Sequence, residues 1–186
     1  MTVYHPTTAD FLRFLRTSEP PELGAGPRAG VLSARGLNSD LDAWFAAHAV
    51  SPEAALRLRA LTLLYHDEHD AAHDIVQDLT DRDGALIHAL LHRREPDYWN
   101  AKYWFRRTDE HPVYLALAAR VKALPGGPDE ITMARQLTLP GAFDPFAFVD
   151  LCEQVARRPV TDPQVTWLRR VQQAEFEAVA EHLLSA

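Results

Sequence analysis

Five of the nine histidines in this 186-residue chain fall between residues 66 and 92, in two stretches with helical spacing. In the first, YHDEHDAAHDIVQD, the side chains of His66, His69, His73 and Gln77 share one stripe of a helix. The apolar stripe of the same segment (Leu58, Leu61, Tyr65, Ala72, Val76, Leu79) lies roughly 90–100° away around the axis, so these imidazoles flank the core without entering it. In the second, ALIHALLHRREPDY, the residues His88, His92 and Glu95 again share one side. An antiparallel hairpin across the short turn between the two stretches sets His73 opposite His88, His69 opposite His92, and His66 opposite Glu95. Neutral imidazoles four apart on a helix can reach one divalent ion, and a facing helix can complete the set. The expectation is a metal site for zinc, iron or manganese on His73, His88 and His92, with Glu95 as a general base or an added oxygen contact. Without a metal, the same three imidazoles are acid/base groups near neutral pH. Histidines four apart also arise by chance in a chain this rich in them, and hairpin pairing fixes height without fixing rotation.

The next sixteen residues, HRREPDYWNAKYWFRR at 92–107, hold five cationic side chains and five aromatic rings inside an otherwise acidic protein. Guanidinium forks beside aromatic faces suit an anionic or sugar-like small molecule. Arg93, Arg94, Asp97, Asn100, Tyr103 and Trp104, together with Gln77, are therefore the expected ligand-binding residues. The structural alternative is that Arg93 and Arg94 form buried ion pairs with Glu95, Asp97 or the acids of the preceding helix and hold the bend at Pro96.

This segment, followed by HPVY at 111–114, resembles the signature of a family of uncharacterised bacterial and fungal proteins. Upstream, Asp67 or Asp70 with His73 and Gln77, then Gly84 with His88, are similar to further elements of that family, as is FDPFAFVDLCE at 143–153. The resemblance spans about residues 55–155 and implies a shared site containing His73, His88 and His92; His66 and His69 fall outside its matched elements. It implies no chemistry, because the family has no established activity. The three His-Asp dipeptides (66–67, 69–70, 73–74) also resemble the pair that names a class of all-α, metal-dependent phosphohydrolases, a class that needs an earlier His and a much later Asp at set places as well. Two His pairs at a spacing of four resemble haemerythrin-like bundles, whose additional Glu and His ligands are missing.

The elements that must position these residues are helical. Ala (28) and Leu (24) far outnumber Ile (3), and no stretch alternates long enough for a strand. The pattern predicts a single all-α domain over 1–186, a bundle of about eight helices. A first helix at 7–17, with Thr8 as a possible cap, precedes a Pro- and Gly-rich connection or lid over 18–37. Core helices fill 38–124: one capped by Asn38 or Ser39, one from Ser51 to about Leu79 that runs unbroken or bends near Tyr65, then 85–94, 97–107 and 112–124. PGGP at 125–128 breaks the chain, and helices near 129–138, 144–157 and 162–184 pack back on the core.

A formal charge of −7 argues against nucleic acid as a partner. No apolar run approaches the roughly 18 residues of a membrane span, the N-terminus lacks a signal-peptide plan, and the expected location is the cytoplasm. One cysteine excludes a disulfide framework, and Cys152 on the apolar stripe of Phe148, Leu151 and Val155 reads as a buried thiol. The functional expectation is a metal-dependent or His-based, hydrolase-like enzyme acting on a small oxyanionic or sugar-like ligand. Its rival is a non-catalytic helical binding or interaction module in which the Arg-Glu-Asp set is structural.

Overall fold

The computed structural model of the protein describes residues 6–138 and 141–185, and among these the regular structure is helical throughout. Ten α-helices follow one another: α1 (Pro6–Phe11, continued by a 3-10 turn Leu12–Leu15), α2 (Ala34–Ala47), α3 (Pro52–Tyr65), α4 (His69–Val76), α5 (Arg82–Arg94), α6 (Tyr98–Phe105), α7 (Val113–Ala123), α8 (Pro128–Leu137), α9 (Pro145–Val155) and α10 (Pro163–Ser185). None is long and apolar enough to cross a membrane. Residues 1–5, including His5 and the first part of the stretch inspected for a signal peptide, lie outside the described residues.

Short polar side chains set the helix starts by accepting the free N–H groups of the first turn. Ser33 caps α2, five or six residues before the expected caps Asn38 or Ser39, and Ser51 caps α3 with Pro52 in the first turn. Asp81, Asp97 and Asp144 do the same for α5, α6 and α9. Thr8 lies inside α1 and caps nothing. Ten helices stand where about eight were expected, partly because the long run from Ser51 divides. α3 stops at Tyr65, Asp67 takes the left-handed conformation (φ 66°), and α4 restarts at His69.

α5 is the central helix, with every residue from Gly84 to Arg94 buried. Its apolar residues Ile87, Leu90 and Leu91 join a core with Leu58, Leu61 and Leu64 of α3, Leu117 and Val121 of α7, and Val171, Phe176 and Val179 of α10. The turn into α5 is tight enough that a Cβ on Gly84 would overlap the Leu79 side chain. α4 and α6 each pack against α5, so the three carry one shared surface.

The proline- and glycine-rich segment expected as a connection or lid over 18–37 is irregular as far as Ser33, where α2 is capped, and runs as a strap across the molecule. Its backbone carbonyls are held by side chains from across the molecule. Arg169 donates to Pro20 and Pro21, Gln172 to Pro21 and Glu22, and Arg94 to Glu22 and Gly24. His69 donates through Nε2 to Ala25, and Arg28 pairs with Asp67 at 2.5 Å. A segment without regular structure must find partners for its buried carbonyls elsewhere, and here long polar side chains supply them.

Candidate functional site

Because α5 is enclosed, consecutive residues on it face different neighbours, each turned about 100° from the last. His88 and His92 are one helical turn apart and face α4 and α6. Arg93 faces α10, and Arg94 faces the strap and the α3–α4 break. This rotation separates residues that adjoin in sequence.

His73 of α4 meets the two imidazoles of α5. Ring centroids are 5.1 Å apart for His73 and His88, 5.8 Å for His73 and His92, and 4.8 Å for His88 and His92. One ring nitrogen from each of the three lies within 4.8 Å of the other two. A tetrahedral ion with bonds of about 2.1 Å places its ligands roughly 3.4 Å apart. His88 is stacked with two rings, Trp104 at 3.9 Å and 16° and His92 at 4.8 Å and 22°. Its Nδ1 is buried and has no hydrogen-bond partner among the described residues. Burial, reinforced by the neighbouring His92 and His73, pushes the His88 imidazole down to about 3. His92 is also lowered, by burial first, although Glu95 and Asp97 oppose the shift. Both rings therefore stand neutral at pH 7, the form that ligates a metal.

The tautomer of His92 follows from its partners. Glu95 Oε2 lies 3.0 Å from Nδ1, and the Asn100 amide donates to Nε2 at 3.1 Å. Nδ1 therefore carries the proton, and the Nε2 lone pair points towards Asn100, whose amide an ion would displace. A carboxylate on the far nitrogen of an imidazole is the arrangement that orients metal-ligating histidines. Asp97 is exposed and caps α6 by accepting from the Asn100 backbone, so it contributes to the site by placing Asn100. Tyr103 is exposed and stands edge-on to Trp104.

Three of the expected ligand-binding residues are not brought to the imidazoles. Arg93 is wholly buried, its guanidinium bonded to Glu175 at 2.5 and 3.0 Å and lying 4.2 Å from the Phe148 ring. Burial works against its charge, and the Glu175 carboxylate more than offsets this, so its pKa is raised. Arg94 is equally buried. It bonds Asp67 at 2.6 Å and the Leu64, Glu22 and Gly24 carbonyls, and burial lowers it to about 10 despite Asp67. Both guanidiniums face protein partners and not the imidazoles, although Arg93 Nε is buried without a hydrogen-bond partner among the described residues, and the acid that meets Arg94 is Asp67 in the α3–α4 break. Gln77 is exposed at the end of α4, with its amide on the Asp74 carbonyl.

The upper rungs of the histidine hairpin are structural. His66 accepts the Leu32 N–H on Nδ1 and donates Nε2–H to the Phe14 carbonyl, and His69 holds Ala25. The α3–α4 break turns both away from the line of His73, which a continuous helix would have kept. Cys152 is buried, and burial pushes its thiol up to about 12.

A second cluster escaped the sequence. Asp83 Oδ1 accepts Nε2–H from both His111 (2.8 Å) and His182 (3.0 Å). The Val113 N–H donates to His111 Nδ1, which leaves Nε2 as the protonated nitrogen. The hydrogen bonds from His111 and His182 hold the Asp83 carboxyl well below the usual carboxylate range. With both nitrogens of His111 engaged, this cluster is a proton-held clasp joining α5, the start of α7 and the last turn of α10. Residues 28 and 99 positions from Asp83 carry no spacing signal that could have joined them.

Comparison with known protein families, with curated proteins and with solved structures finds no match to this chain.

Proposed function

We propose that His73, His88 and His92 bind one divalent metal ion and that the protein is a metal-dependent, hydrolase-like enzyme acting on a small oxyanionic ligand. The observation that carries this reading is the convergence of three imidazole nitrogens within 4.8 Å, one ring having a buried and unpartnered Nδ1. Three His ligands leave a tetrahedral ion one open position, which is the arrangement of catalytic rather than structural zinc. Such an ion supplies Lewis acidity towards water or a ligand oxygen. His92 is held in its ligating tautomer by Glu95, which acts as a positioning residue through Nδ1. Trp104 closes one wall and keeps His88 dry, and Asn100 offers an amide to the ligand once an ion takes its place on His92.

Protein purified without a His tag should contain near-stoichiometric zinc, iron or manganese. The His88→Ala, His92→Ala double variant should fold and lose that metal. No metal in the purified protein, with no thermal shift on adding any of the three ions, overturns the reading.

A further inference from the structure

Around the outer side of this site α6 presents an aromatic and cationic face that packing does not explain. Trp99 is 75% exposed and Tyr103 41% exposed. Their rings are nearly parallel, 13° apart in plane with centroids 6.3 Å apart, because four residues on a helix place them one turn apart on one side. A tryptophan this exposed leaves a large π face in water, where its burial would otherwise stabilise the fold. One turn further along lie Arg106 and Arg107, both exposed. The Arg107 guanidinium stands 5.2 Å from the Trp104 ring centroid and 3.5 Å from the Tyr103 hydroxyl, its one hydrogen-bond partner among the described residues. Trp104 in turn stacks on His88. The face is thus continuous with the imidazole cluster through a single indole.

We propose that this face selects the ligand of the His site, and that the ligand is a phosphate monoester carrying a planar heteroaromatic ring, of the nucleoside monophosphate class. The ring stacks on Trp99 and Tyr103, and the phosphate reaches between Arg107 and the imidazole cluster. Stacking on aromatic side chains accepts any planar base, and a guanidinium fork matches phosphate oxygens. The favoured occupant is a mononucleotide and not a strand, because the chain carries a formal charge of −7 and, beside Lys102, which Asp150 pairs, this face adds two cations, Arg106 and Arg107, that form no ion pair among the described residues. This identification of the ligand rests on the metal reading above, while the stacking face stands on its own geometry.

The test measures binding of AMP, UMP, ribose 5-phosphate and inorganic phosphate by calorimetry, with metal content determined separately on each sample. AMP and UMP should bind about tenfold or more tightly than ribose 5-phosphate, the range that base–aromatic stacking supplies. Trp99→Ala, at an exposed position, should erase that difference while leaving folding and metal content unchanged. Arg107→Ala should weaken all four phosphates together. Equal binding of ribose 5-phosphate and AMP, or a preference that survives Trp99→Ala, overturns the proposal and leaves the metal reading standing. Ring selectivity in protein that takes up no metal keeps the stacking face and overturns the metal reading. A single-stranded oligonucleotide binding far more tightly than either monomer, or a dimer that Trp99→Ala dissociates, overturns the mononucleotide assignment. So does the absence of any binding.

Discussion

His88 combines three features that a purely structural side chain would avoid together. It is buried, it is stacked with two rings, and its Nδ1 has no partner among the described residues. An orphaned buried polar atom costs about 1–3 kcal/mol. Replacing it with an apolar ring of similar shape should therefore help the metal-free protein and harm the loaded one. His88→Phe is expected to raise the stability of metal-stripped protein by about 1 kcal/mol in denaturant melts, and to abolish the added stability that metal confers on the parent. A metal-free His88→Phe less stable than its parent would mean that the orphaned nitrogen carries no such cost. Asp67 shows the opposite case. It sits at positive φ, which Asp tolerates better than most residues, and its carboxylate holds both Arg28 and Arg94.

At the scale of elements, the break between α3 and α4 decides what the histidines do. A continuous helix would have kept His66, His69 and His73 on one stripe. The break gives the first two to the strap and the third to the site. His66 is neutral in this arrangement, because Leu32 donates to Nδ1 while Nε2–H donates to Phe14. Burial, the largest influence on it, lowers its pKa. The unfolded chain takes up a proton near the ordinary value of about 6.5 and the folded chain does not, so His66 favours folding above that pH and less so below it. Amide protection of Leu32, corrected for intrinsic exchange, is expected to fall between pH 7 and pH 5, ahead of the core of α5. Uniform loss of protection across strap and α5 would contradict this.

In the whole molecule, α10 is the longest helix, and polar contacts as well as apolar ones tie it to the centre. Glu175 meets the buried Arg93, Gln172 and Arg169 hold the strap, and His182 shares Asp83 with His111. Hydrogen bonds to an ionised group contribute more than neutral ones, about 1.5–3 kcal/mol each. Asp83 has a lowered pKa, so its contribution is full above the unfolded value near 3.9 and is lost as pH falls through the lower folded one. Asp83→Asn should cost about 2 kcal/mol near pH 7, and the gap between the two proteins should close in strong acid. A pH-independent gap would sink the ionic account of the clasp.

The amino-acid sequence by itself determined that the chain is helical and that His73, His88, His92 and Glu95 lie near one another. These follow from local periodicity and from one short hairpin, over which height is set by counting residues. The same pattern misplaced the caps of α1 and α2, and its pairings of His69 with His92 and His66 with Glu95 do not form. Tertiary structure decided the rest. Whether Arg93 or Arg94 faces a ligand depends on which helix packs against each side of α5, and no pattern in residues 92–107 contains that information. The separation of His66 and His69 from His73 depends on Asp67 meeting Arg28 and Arg94, two partners distant in the chain. Glu175 with Arg93, and His182 with Asp83, are pairings across more than eighty residues, where the rotation of two packed helices, and no spacing, selects the partner.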